Sequence, residues 1–112
     1  MHDALGRFAK AHPHTLPADI AAVLTGFAQK TLEEMTGSPR VAAFWVPRFR
    51  RFATWFAETE PARRAGVARV LAEIDGKQVL DANRGPFTLT ARADRIDVCE
   101  EAGKLRIAIT DY

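Results

Sequence analysis

Apolar positions in the first half of the chain recur every three or four residues, and in the second half they alternate. The first pattern is that of helices with one buried face, the second that of half-buried strands. Ala4, Leu5, Phe8 and Ala9 predict a helix over His2 to Lys10, interrupted by His12-Pro13-His14. A second helix is expected from near Pro17, where a missing N–H costs nothing in the first turn, with Ile20, Val23, Leu24, Phe27, Ala28 and Leu32 as its apolar face. Thr36-Gly37 reads as its stop, and Ser38-Pro39 as the start of a third helix reaching about Phe56. Val41, Phe44, Trp45, Phe49, Phe52 and Phe56 form that helix's stripe, read as core packing rather than as a platform for bases. Pro47 is expected to kink it, because its ring blocks the bond to Ala43.

From Val67 onward the texture changes. Val67 to Ile74 reads as a strand, Asp75-Gly76 as a tight turn, Val79-Leu80 as a short return and Asp81 to Pro86 as loop. Phe87 to Cys99 and Lys104 to Tyr112 predict two long strands joined around Glu100 to Gly103. The expected fold is therefore an α+β arrangement, with N-terminal helices (1–60) followed by a mostly antiparallel sheet (67–112) in one domain.

The register of the last hairpin brings chemistry into view. With the turn centred between Glu101 and Ala102, Val98 faces Leu105, Ile96 faces Ile107 and Asp94 faces Ile109. Opposite residues share a face, so Ile96, Val98, Leu105, Ile107 and Ile109 form one apolar surface. Arg95, Asp97, Lys104 and Arg106 fall on the other, with Asp97 opposite Arg106. Asp94 and Asp111 continue the apolar surface as diagonal neighbours, about 7–8 Å apart. Two carboxylates beside an apolar surface repel each other and are costly to desolvate. Either they lie solvated at the rim, or a hard divalent cation such as Mg²⁺ or Mn²⁺ sits between them. The apolar phase of this strand also switches near Ala93–Asp94, which points to a bulge or bend there.

Composition narrows the classes. The 112 residues suffice for one domain, and 16 Lys+Arg against 14 Asp+Glu leave a formal charge of only +2, which excludes a polycation. A local basic cluster remains at Arg48, Arg50 and Arg51, followed by Arg63 and Arg64, readable as a solvated helix face or as phosphate contacts. Cys99 is the single cysteine, read as a half-buried strand thiol, so the chain has no internal disulfide. No apolar run is long enough to span a membrane, and the start has no secretory layout, so a cytoplasmic location is expected. His12 and His14 receive no role.

The segment Ala91-Arg92-Ala93-Asp94-Arg95-Ile96-Asp97, followed one strand later by Asp111-Tyr112, resembles the RecB-like nuclease domain of the PD-(D/E)XK superfamily, in particular the nuclease of AddB-type double-strand-break repair subunits. That family carries Gly-x-x-Asp, often continuing Arg-Ile-Asp, and then Asp-Tyr-Lys-Thr-Gly. The stretch from Met1 to Phe8, the Phe44-Trp45 to Phe49 segment and Arg63-Arg64 add to the likeness, which extends over nearly the whole chain. It implies a partial restriction-endonuclease-like core and metal-dependent hydrolysis of DNA. By position it implies Asp94 and Asp111 as catalytic, metal-holding carboxylates, His2 as an accessory ligand and the Tyr112 carbonyl as a further oxygen ligand. Mg²⁺ or Mn²⁺ would be the cofactor, DNA the substrate held in part by Arg48, Arg50 and Arg51, and an AddA-like helicase–nuclease subunit the partner. Position 91 is alanine where the family has glycine, and the chain stops at Tyr112, before the lysine. The expectation is a truncated piece with little or no cleavage activity of its own. Cys99 matches none of the cysteines that hold an iron–sulfur cluster in AddB proteins, so no cluster is expected. A different class is also consistent with these residues: a non-catalytic DNA- or subunit-binding module on the same scaffold.

Overall fold

A computed structural model describes residues 1–112, with three helices followed by a three-stranded antiparallel sheet in the order β1-β2-β3. The helices are α1 (His2–Ala11), α2 (Ile20–Thr36) and α3 (Pro39–Arg63); the strands are β1 (Val67–Ala82), β2 (Gly85–Glu101) and β3 (Lys104–Thr110). This is the α+β layout that the periodicity predicts.

Local chemistry sets the helix ends. α2 begins at Ile20 and not near Pro17, because the Asp19 carboxylate accepts the Ala22 N–H at 2.9 Å and so caps the first turn. It ends at Gly37, whose φ of 58° is left-handed. α3 opens with Pro39 as expected, but runs past Phe56 to Arg63, continuing through Pro47 and Pro61. The extension has a reason: Ala53, Phe56 and Glu60 keep the helical spacing, and all three are buried.

The core lies between the helices. Leu5, Phe8, Leu24, Ala28, Ala53 and Phe56 form its centre, with Phe8 edge-on to Phe56 at 5.6 Å between ring centres. A smaller cluster of Ala9, Val70 and Ala72 attaches α1 to the sheet. The outer edge of β1 is tied down by the loop after α1: the Val70 N–H donates to the Pro13 carbonyl at 2.8 Å, and Arg64 Nη1 donates to the His12 carbonyl at 2.5 Å. This pairing covers backbone groups that would otherwise stand open at an edge strand.

Two turns differ from the sequence reading. Asp75-Gly76 is no turn; both residues lie within β1, opposite Arg92 and Ala91. The chain reverses instead at Asn83-Arg84, before Gly85, whose φ of 116° suits glycine alone. A single long hairpin thus replaces the strand, short return and loop expected over 67–86. In the second hairpin, Ala102 (φ 50°) and Gly103 (φ 74°) take up the reversal. That moves the register by two residues, so Ile96 faces Ile109, Val98 faces Ile107 and Cys99 faces Arg106. A shift of two preserves which residues share a face, so the apolar grouping stands while the partners change. Asp97 lies opposite Ala108, not Arg106, and bonds Arg95 instead; Arg106 pairs with Glu101 at 3.0 Å.

Arg95 and Asp97 are the larger surprise. Arg95 is only 1% exposed and Glu60 0%, because α3 reaches the sheet at this point. Arg95 Nη1 lies 2.8 and 2.9 Å from the two Glu60 oxygens, and its Nε donates to Asp97 Oδ1 at 2.6 Å. Arg64 Nε donates to Glu60 Oε1 at 2.8 Å, completing a buried network of two cations and two anions. Burial by itself would lower the Arg95 pKa, but hydrogen bonds to Glu60, Asp97 and Tyr112 outweigh it and hold the guanidinium firmly charged.

Candidate active site

The site forms where β2 and β3 run out beside the start of α1. The last ladder pair is Arg95 with Thr110, and the same register carried one residue further sets Asp94 against Asp111. The two-residue shift thus makes direct opposites of what the sequence reading places as diagonal neighbours. The Tyr112 N–H donates to Asp94 Oδ2 at 2.9 Å. α1 delivers His2, whose Nδ1 lies 3.2 Å from the same Asp94 oxygen. The Tyr112 ring stands edge-on to the His2 imidazole at 6.5 Å, and its hydroxyl lies 3.4 Å from Arg95 Nη1. The buried ion network therefore supports the residue that anchors Asp94.

Electrostatics separates the two acids. Asp94 is held below the usual carboxylate range, first by the Tyr112 N–H, then by the bond to Asp111 and by His2. Asp111 is pushed up by the hydrogen bond to Asp94 and by its charge. Two adjacent carboxyls do not ionise together easily, so the pair keeps one proton over a wider range than either acid alone. Oxygen donors with an imidazole at their side are a donor set that hard and borderline divalent cations accept. No three His, Cys, Asp or Glu side chains close around a common point.

His2, Asp94, Asp111 and Tyr112 are thus brought together, with Tyr112 reaching Asp94 through its N–H. Arg48, Arg50 and Arg51 lie elsewhere, exposed on α3, and none is engaged in an ion pair. Arg64, in contrast, is part of the buried network, and Arg63 Nη2 donates to Thr110 Oγ1 at 3.0 Å. Cys99 is a free, half-buried thiol on β2. The bend expected at Ala93–Asp94 is not found there: Ala93 and Arg95 pair in register with Ile74 and Ala72, and the irregular backbone lies on β1 at Glu73, whose φ is 54°.

Glu73 is a further acid beside this site that the residue pattern does not mark. Its carboxyl lies against Gly6, where an added Cβ would sit 3.1 Å from it, and it pairs with Lys10 and, at 3.8 Å, with Arg92. Those cations lower its pKa, the Lys10 bond most of all, while the charge of Asp94 acts in the other direction. Strand alternation carries no signal for it, since its placement depends on a backbone twist that no residue pattern announces.

The profile of the PD-(D/E)XK nuclease superfamily matches residues 1–112, and the chain belongs to that superfamily. Its members are typically nucleases that use divalent metal ions, and the three helices with an antiparallel sheet agree with such a fold. No curated protein and no solved structure matches the chain. No helix is long and apolar enough to cross a membrane.

Proposed function

We propose that this chain forms the metal-binding part of a DNA nuclease domain of the AddB type, acting in double-strand-break repair beside an AddA-like helicase–nuclease subunit. The observation that carries the metal reading is that the strand register sets Asp94 against Asp111 while His2 Nδ1 lies 3.2 Å from Asp94. Asp94 and Asp111 are the catalytic carboxylates. Together with His2 and the Tyr112 carbonyl they would hold Mg²⁺ or Mn²⁺. Such a bound ion supplies an activated water and neutralises charge developing on a phosphate. The Tyr112 N–H and His2 keep the Asp94 oxygen oriented and ionised, ready as an acceptor. The AddB assignment and its helicase partner rest on the likeness of the Asp94 and Asp111 strands, and copurification with an AddA-like subunit would test them.

Calorimetric titration with Mn²⁺ tests the site. The chain is expected to bind the ion near neutral pH, and Asp94→Asn to weaken binding at least about tenfold, the equivalent of roughly 1.4 kcal/mol. Unchanged Mn²⁺ affinity in Asp94→Asn would remove the metal reading.

A second reading, a DNA-binding module without catalysis, is favoured by one observation: Arg48, Arg50 and Arg51 are exposed on one helix with no acidic partners. Replacing all three with alanine should then weaken DNA binding and flatten its salt dependence, by about one unit of slope for each phosphate that these arginines neutralise. In the nuclease reading the same arginines hold the substrate, so the Mn²⁺ titration decides between the two.

A further inference from the structure

The cleft between α2 and α3, walled by Trp45, Phe49, Phe52 and Met35, has no part in the metal site. We propose that it takes one unpaired nucleobase of a single-stranded DNA substrate, an inference that rests on the nuclease reading above. The cleft encloses about 220 Å³, which is small for a drug-sized ligand and suited to a single planar ring system. Its walls are mostly apolar and aromatic, the surroundings in which a base stacks.

Thr31 supplies an independent sign that a ligand belongs here. It lines the cleft, is only 5% exposed, and its hydroxyl has no hydrogen-bond partner. Each of the other helical threonines, Thr25, Thr36, Thr54 and Thr59, donates to the carbonyl four residues before it. Thr31 alone leaves that bond unmade, and a buried hydroxyl without a partner is costly. The edge of a base carries donors and acceptors that would satisfy it, whereas an aliphatic side chain would not.

Charge at the mouth agrees. Arg48 lines the cleft, with its guanidinium 4.5 Å from the Phe44 ring centre and 5.6 Å from that of Trp45. Arg51 follows three residues on, unpaired and on a neighbouring face of the helix, while Arg50 faces the other side beside Gln29 and Pro47. A phosphate chain entering here therefore meets the charge of Arg48 first. The opposite wall includes Met1, the neighbour of His2, which touches Asp94. Cleft and acidic site therefore share the start of α1. Bases in a duplex are stacked and paired and cannot enter such a cleft, so the substrate it selects is single-stranded.

Fluorescence anisotropy with end-labelled oligothymidylate, and with an abasic oligomer of equal length and charge, tests this in EDTA, where metal-dependent cleavage does not interfere. Oligothymidylate should bind about tenfold more tightly than the abasic strand, within the range that stacking of one base supports. Trp45→Ala should abolish that difference while leaving the salt dependence unchanged. Trp45 is half exposed, so its loss spares the core. Thr31→Val, which keeps the side-chain shape, should weaken oligothymidylate alone by several-fold. Equal binding of the two strands, or a base preference that survives Trp45→Ala, overturns the base cleft and leaves the nuclease reading in place. Failure to bind either strand overturns both.

Discussion

On the helix side of the sheet, Val70 and Ala72 pack under Ala9, and Arg95 and Asp97 are sealed beneath α3 by Glu60. On the opposite face of the sheet, Leu105, Ile107 and Ile109 of β3 are 73%, 63% and 64% exposed. Charged Arg95 and Asp97 are thus inside while apolar Leu105, Ile107 and Ile109 are outside, the reverse of what transfer energies alone would choose. The comparison shows that burial follows what lies above a residue, not its polarity. α3 carries Glu60 to the sheet, and a carboxylate there requires cations, which Arg95 and Arg64 provide. The open face is an apolar patch of the kind that marks an interaction surface, and it shares its alternation with Asp94 and Asp111.

Removing Glu60 should break this comparison most sharply. Glu60→Gln leaves Arg95 and Arg64 buried with their main acceptor neutralised, and is expected to cost about 3–5 kcal/mol in a urea melt. A loss below about 1 kcal/mol would mean that the network is far more hydrated than its burial indicates.

The acidic pair responds to pH. The Asp94 pKa is lowered, so its contribution is present above the unfolded value and is lost as pH falls through the folded one. The Asp111 pKa is raised, so its contribution is complete below the unfolded value and is lost as pH rises through the folded one. The pair therefore stabilises the fold most between the two, in mildly acidic solution, and becomes repulsive above. Asp111→Asn should raise the Tm near pH 7 in the absence of metal, and the gain should disappear toward about pH 4. A Tm gain that persists unchanged at the lower pH would refute the raised Asp111 pKa.

Changes on the open face should matter least to stability. Ile107→Thr is expected to shift unfolding in a urea melt by no more than about 0.5 kcal/mol. A loss of several kcal/mol would show that Ile107 is covered in solution.

Much of the site is legible in the residue order, for a physical reason. Strand alternation is a local property, so Asp94 and Asp111 share a face with Ile96 and Ile109 in any register displaced by an even number of residues. The helices are legible for the same kind of reason, through the spacing of Leu24 and Ala28, but of the stripe expected to pack α3 into the core only Phe56 is fully buried, while Val41, Phe44 and Trp45 stand exposed. Their ends are less so: the Asp19 carboxylate competes with Pro17 for the start of α2, and Glu60 carries α3 beyond its aromatic stripe. Asp75-Gly76 has the composition of a turn yet lies within a ladder, because Arg92 and Ala91 pair across from it.

Residue order alone thus settles the helical and strand periods, the grouping of side chains by face, and the two aspartates that meet at the strand ends. Packing settles the rest. Which face α3 covers, the burial of Arg95, the turn of Glu73 toward Lys10 and the unspent hydroxyl of Thr31 all depend on groups distant in sequence. Each is decided by whether a partner arrives to replace lost water, and only the folded chain determines that.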